Sequence, residues 1–353
     1  MTHQTRPLAL SVLDLIPVRS GQTTANALTA SVHLAQTADA QGFTRYWVAE
    51  HHNMQAVAST NPPVLMGILA ARTERIRVGS GGIMLPNHSP LVIAEQLGLL
   101  EAAFPGRIDV GLGRAPGSDP VISSYLRSSG AVSDVDAFER NVGDISALLH
   151  PDGASLQLTS GQDYVLRATP AAAGSPQVWM LGSSTFSAHL AARLGLPYVF
   201  ANHFSGDGTT EALDLYRTEF TPSENLSAPQ TFLTVNVSVA DSAEEALALA
   251  MPQLQLMARL RTGAPMGALL TVEEAAIADV SPAQADIIKQ MVRGWVIDTP
   301  AGAAARLRAL ADRFGVDEIM VVPGASEHGA DDRATTPARA RTLELLAGEL
   351  LAA

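Results

Sequence analysis

The chain has no cysteine among its 353 residues. That absence excludes disulfides, a thiolate nucleophile and Cys-ligated zinc or iron–sulfur clusters together. Lysine is nearly as scarce, since Lys289, in DIIKQMVRGW, is the only one. A P-loop needs a Gly-Lys-Ser/Thr step and a Schiff base needs a lysine in a pocket; one lysine in a helical context serves neither well. With 35 acidic against 23 basic residues and a net charge of −12, there is no basic stripe to bind nucleic acid or an anionic lipid surface. No apolar run approaches the roughly 18 to 20 residues of a membrane span. The N-terminal stretch MTHQTRPLALSVLDLIP has a short apolar run and no small-residue cleavage site, so a cytoplasmic location is expected.

What the chain does have is apolar content, 47% against 16% charged, enough for a large core in one big α/β barrel or two medium domains. Apolar, β-branched runs at 8–13, 46–49, 76–79, 108–112, 178–181, 198–201, 232–239 and 318–322 read as strands. Helical patterns at 25–41, 63–72, 91–104, 134–149, 187–194, 211–220, 243–261 and 301–314 alternate with them, and a last one covers 337–351. Eight such alternations predict a single (β/α)8 TIM barrel over 1–353; an open doubly wound sheet gives the same alternation and is the competing arrangement. The segments 150–176, 203–210 and 221–230 read as Gly/Pro/Ser-rich loops, and 262–300, before the last strand, as a lid or mobile insertion.

One run carries more chemistry than any other. In YWVAEHHN, residues 46–53, a strand delivers Glu50, His51 and His52 to one point. Alternation sends Glu50 and His52 to one side and His51 to the other, so the cluster fits where a strand runs out into a pocket. Barrel active sites lie at the C-terminal ends of strands. Other polar and glycine residues fall there too: Gly81, Gly82 and His88 after the third strand, Gly113 and Arg114 after the fourth, Ser183, Ser184 and Ser187 after the fifth, Asn202 and His203 after the sixth. LGSSTFS, residues 181–187, passes from a strand into the first turn of a helix, where free N–H groups favour an anion. Arg114 could add a bidentate contact to the same anion. Plain N-capping explains any one of the serines equally well, and a surface ion pair would explain a solitary arginine. GLGRAPG is not a dinucleotide fingerprint, because its last glycine comes one residue late and Pro116 stands where a helix should open.

Three segments, YWVAEHHN, the stretch 75–117 (RIRVGSGGIML to GLGRAPG) and the stretch 178–204 (VWMLGSSTFS to FANHF), resemble the bacterial luciferase-like flavin-dependent monooxygenases, in the branch of short single-chain oxidoreductases; FGVDEIMVV, 314–322, continues the likeness. The resemblance implies a (β/α)8 barrel and a homodimer packed through the helices after the second and third strands. It implies FMN reduced by a separate flavin reductase, molecular oxygen, and oxidation of a small organic substrate through a C4a-(hydro)peroxyflavin; some members use a deazaflavin instead. It places the cofactor phosphate near Arg114, Ser184 and Ser187 and the flavin ring against Gly81–Gly82, whose peptide bond is expected to be cis. His51 or His52 matches the catalytic histidine, with His51 preferred and Glu50 orienting or balancing charge.

Three departures from the family pattern stand out. Gly113 replaces a cysteine that luciferases carry, which argues against light emission. Asp298 stands where relatives often have glycine before a Thr-Pro helix start. Asn202 and His203 replace an aromatic, which predicts a more polar pocket over the ring. Competing readings are a metal-dependent hydrolase using His51, His52, His203 and a carboxylate, a deazaflavin-dependent reductase or dehydrogenase, and a flavin-binding barrel without turnover. Met251, Leu254, Met257, Leu260, Met266, Leu269 and Leu270 could cover an apolar substrate, although helical spacing also fits ordinary core.

Overall fold

The computed structural model describes residues 8–115, 117, 120–128, 135–169, 173–224 and 226–351. Pro116 and Asp134, which entered the sequence reading above, lie outside them. Eleven strands form among the described residues: β1 Ala9–Asp14, β2 Arg45–Val48, β3 Arg77–Met84, β4 Ile108–Gly113, β5 Ala154–Gln157, β6 Asp163–Leu166, β7 Gln177–Gly182, β8 Tyr198–Phe200, β9 Thr231–Val239, β10 Val296–Asp298 and β11 Glu318–Pro323. Eight of them are parallel in the cyclic order β1-β2-β3-β4-β7-β8-β9-β11, and pairing of β8 with β9 and of β11 with β1 closes the barrel. The expected TIM barrel is the observed fold, and the open sheet is excluded by that closure.

Three details were not read from the sequence. The segment expected to be a loop at 150–176 contains the antiparallel hairpin β5–β6; its strands carry Leu156, Tyr164 and Val165 on exposed positions, so no buried face marked it as sheet. The stretch 262–300 holds helices Val272–Ile277 and Pro282–Gly294 and then β10, which pairs only with β9. Its helices start at Thr271 and Ser281, each closing a capping box with the residue three positions on. A helix at Pro120–Ser128 was also not foreseen.

Parallel barrel strands are buried on both faces, the outer against helices and the inner against one another. Along β2, Arg45, Trp47 and then Ala49 and His51 share one parity and face the lumen. Trp47 packs edge-on to Trp179 of β7, with ring centroids 5.7 Å apart, and lies 5.3 Å from Phe232 of β9. Leu13, Val199 and Met320 complete this middle layer. Below it, Arg45 pairs with Asp109 at 2.8 Å and Glu318 at 2.6 Å, and its guanidinium carbon stands 4.9 Å from the Trp179 ring centroid. Asp109 also accepts from Arg77 Nη2 at 2.6 Å and Trp47 Nε1 at 3.0 Å. A charged floor and an aromatic layer therefore fill the lower barrel, leaving room for a ligand only at the opposite end.

Candidate functional site

Above the aromatic layer, at the C-terminal ends of the strands, lies a cavity of about 440 Å³. That size suits a cofactor or small-molecule ligand. Of the site residues picked out in the sequence, His51, Gly81, Gly82, Arg114, Ser183, Ser184, Ser187 and His203 all line it. Glu50 and His52 do not. Strand parity turns them outward, where Glu50 is wholly buried and His52 Nε2 donates to it at 2.9 Å. The same carboxylate accepts from His88 Nε2 at 2.9 Å, Asn87 Nδ2 at 3.3 Å and the Met84 backbone N–H at 2.9 Å. Burial alone would push the Glu50 carboxyl up, but these donors, His52 and His88 foremost, outweigh it and hold the group at about 2. Glu50 is thus an ionised tie between the ends of β2 and β3.

His51 reaches the cavity with its backbone N–H fixed on Ser59 O at 2.9 Å. Burial lowers its pKa below the usual imidazole value, against the upward pull of the Gly117 backbone and of Glu50. His203, from the end of β8, faces the same space. Its Nδ1 lies 2.9 Å from Thr234 Oγ1 and its carbonyl accepts from Asn236 Nδ2 at 2.6 Å. Burial, and then the neighbouring His51, pull its pKa down to about 4. Both rings are therefore neutral near pH 7 and able to give or take a proton. Asn202, expected beside His203 in the pocket, instead turns to the Thr234 carbonyl at 2.9 Å.

The anion end of the cavity is built from β4 and β7. Ser184 occupies the N-cap of helix Thr185–Leu194, yet its side chain makes no capping hydrogen bond, so the first-turn N–H groups stay open toward the cavity. The capping explanation thus does not hold for Ser184. Gly182 lets this helix begin so close to the strand, since a Cβ there would lie 2.5 Å from Ser187 Oγ. Arg114 lies with its guanidinium carbon 4.0 Å from the Phe186 ring centroid, on the same helix, and no described carboxylate pairs with it. The peptide bond between Gly81 and Gly82 is cis, and a Cβ on Gly82 would meet Leu181 Cδ1 at 2.6 Å and Gly111 O at 2.8 Å. Backbone there can approach a flat ligand that side chains would obstruct.

Sequence reading missed the far wall apart from Met257. Gln253, Met257 and Arg261 of helix Ala243–Arg261 and Met291 and Trp295 around the end of helix Pro282–Gly294 line the cavity, as do Thr234 and Asn236 of β9. The latter pair had a signal, two polar residues alternating within an apolar strand. Among the methionines and leucines proposed to cover a substrate, only Met257 reaches the cavity; Leu254 is core and Leu260 faces solvent. Asp298 accepts from the Thr299 backbone N–H at 2.8 Å, so the start of helix Pro300–Phe314 is occupied by the chain's own carboxylate. Among the described residues no three His, Asp or Glu side chains are grouped to hold a metal ion.

Comparison with known proteins agrees with this geometry. The profile of the luciferase-like monooxygenases matches residues 8–318. A luciferase-like monooxygenase of Escherichia coli K12 is 39% identical, over 94% of this chain and 95% of its own. The N-acetyl-S-alkylcysteine monooxygenase of Bacillus subtilis is 31% identical over 89% and 92%. The crystal structure of apo-MsnO8 superposes with a TM-score of 0.81 at 32% identity, covering 97% of this chain and 98% of that one. The oxygenating constituent of 3,6-diketocamphane monooxygenase from Pseudomonas putida, solved with FMN, shares the fold with a TM-score of 0.69 at 17% identity, over 98% of each chain. A barrel whose strand ends gather an open helix N-terminus, an arginine and two neutral histidines, in a chain matched along nearly its whole length, belongs to the luciferase-like monooxygenase family.

Proposed function

We propose that this monooxygenase works with FMN, delivered in reduced form by a separate flavin reductase, and uses molecular oxygen to oxidise a small organic substrate. The observation that carries the proposal is the conjunction of Arg114 with the uncapped first turn of helix Thr185–Leu194 at one end of the cavity and the glycine-lined wall of β3 beside it. A phosphate suits the first and a flat ring system the second.

Bound reduced flavin supplies the electrons with which oxygen is activated. The chain supplies the rest. Arg114, Ser184 and Ser187 bind the phosphate, and Gly81 and Gly82 let the ring lie against the backbone. His51, neutral and half-buried at the cavity wall, holds or moves a proton at the reacting centre. His203 shapes the opposite wall, fixed by Thr234 and Asn236. Trp295, Met257 and Met291 exclude water. Glu50 and His52 act through the backbone they tie together.

The test is a fluorescence titration with FMN and with a deazaflavin. FMN is expected to bind, and Arg114→Ala to weaken it ten- to a hundredfold, the worth of about 1.5–3 kcal/mol for a charged hydrogen bond. Unchanged affinity in Arg114→Ala would remove the phosphate assignment, and preference for the deazaflavin would replace the cofactor. A homodimer belongs to the proposal as well. Val64 and Ile68 on helix Pro62–Ala70 and Val92 and Leu99 on helix Pro90–Ala103, which pack side by side, are exposed apolar residues, and such a patch suits a second copy. Sedimentation at micromolar concentration would show a monomer if it does not. A cytoplasmic location, with access to a reductase, completes the reading; no described helix is long and apolar enough to cross a membrane.

A further inference from the structure

The cavity is electrostatically unlike the rest of the chain. With 35 acidic residues and a net charge of −12, an enclosed site would be expected to include a carboxylate. Among the described residues lining this one there is no Asp or Glu, while Arg114, Arg261, His51 and His203 are all present. Arg114 is accounted for by the phosphate. Arg261 is not.

Arg261 ends a stripe. Gln253, Met257 and Arg261 are spaced four apart on helix Ala243–Arg261, so they share one face, and all three line the cavity. Exposure rises along the stripe, from half-buried Gln253 and Met257 to exposed Arg261, which sets the arginine at the mouth. Met291 and Trp295 form the wall beside it. One guanidinium nitrogen, Nη2, donates to the Phe204 carbonyl. This anchors the head group in place, and no described carboxylate pairs with it. An arginine tethered to a backbone carbonyl keeps its charge and part of its donor fork available to a planar anion.

We propose that the substrate of this enzyme is an organic acid with an apolar body: its carboxylate sits on Arg261 at the mouth, its body lies along Met257, Met291 and Trp295, and the group to be oxidised reaches inward toward His51 and His203. The inference rests on the reading of the inner cavity as the flavin site. It also gives the acidic chain a reason to keep one cavity free of carboxylates, since an anion approaching a molecule of net charge −12 needs a local positive field.

Calorimetric titration with octanoate and with 1-octanol tests it, using wild type, Arg261→Gln and Arg261→Glu in the presence of saturating FMN, so that Arg114 is occupied. An Arg114→Ala control without FMN reports any carboxylate bound at the phosphate end. Octanoate is expected to bind wild type at least tenfold more tightly than 1-octanol. Arg261→Gln should lose that preference, Arg261→Glu should reverse it, and neither should alter binding of oxidised FMN. Equal affinity for the two probes, absence of octanoate binding, or a preference that persists in Arg261→Gln would overturn the proposal. So would an Arg261→Gln effect confined to reduced FMN, which would assign the charge to the cofactor. Failure of FMN itself to bind would count against the flavin reading, while the octanoate comparison without FMN would still report on Arg261.

Discussion

Replacing Glu50 by glutamine should destabilise the fold by about 3 kcal/mol at pH 7. The figure follows from the carboxyl's displacement from 4.5 to about 2 in the folded chain, at roughly 1.4 kcal/mol for each unit. Glu50 is fully buried, so solvent screening removes little of it. Its oxygens receive Met84 N–H at 2.9 Å, His88 Nε2 at 2.9 Å and His52 Nε2 at 2.9 Å. A glutamine amide offers a single acceptor oxygen and brings two donors of its own, so several of these partners lose their acceptor.

The direction of the pH dependence follows from the same numbers. The folded chain holds Glu50 ionised to about 2, so on acidification the unfolded chain takes up the proton first. Stability from this group is complete above about 4.5 and is lost as pH falls toward 2. Urea unfolding of wild type and Glu50→Gln at a series of pH values gives the difference curve, which cancels the other carboxylates. The two proteins should differ by about 3 kcal/mol at neutral pH, and the difference should shrink below about 4.5 and vanish as pH approaches about 2. A difference under about 1 kcal/mol at pH 7, or one that does not shrink with acid, would refute the tie between β2 and β3.

Further expectations are independent of that one. His203, held at about 4 when folded against 6.5 otherwise, stays neutral while the unfolded chain protonates, so stability falls between pH 6.5 and 4; His203→Asn should flatten that upper window and leave Glu50's lower one, as acid titration of unfolding would show. His51→Ala should keep FMN affinity and lose about 10²–10⁴ in turnover, measured as reduced-flavin-dependent oxygen consumption; His52→Ala, off the cavity, should lose much less, and the opposite order would reverse their roles. Asp109→Ala leaves Arg45, buried at the barrel floor, with Glu318 alone and strips an acceptor from Trp47. A cost of about 3–5 kcal/mol in urea unfolding is expected for breaking such a buried pair, and a loss below about 1 would show that the floor relaxes around the gap.

Of the barrel, the eight strands were legible because each is a short apolar run bounded by turn residues; their number favoured closure, but only the pairing of β8 with β9 and of β11 with β1 decides it against an open sheet. The hairpin β5–β6 was not, because it packs no buried face of its own and so leaves no alternation to read. The far wall, Met257 apart, was not legible for another reason. Gln253, Met257 and Arg261 lie on a helix far along the chain from every strand-end motif, and only closure of the barrel and docking of that helix bring them over the mouth.

The two histidines show most clearly where sequence stops and geometry begins. Alternation alone separates His51 from His52, but cannot say which side is the lumen, since in a parallel barrel both faces of a strand are apolar. The answer lies four and six residues back from His51 along β2. Trp47 joins Trp179 and Phe232 inside the barrel, and Arg45 meets Asp109 and Glu318 beneath them. An arginine on a buried strand finds two carboxylates only where several strands converge, which is the lumen and not the helix-covered surface. Arg45 therefore fixes the inward parity, and with it His51 as the histidine at the cavity and Glu50 with His52 as its outward support.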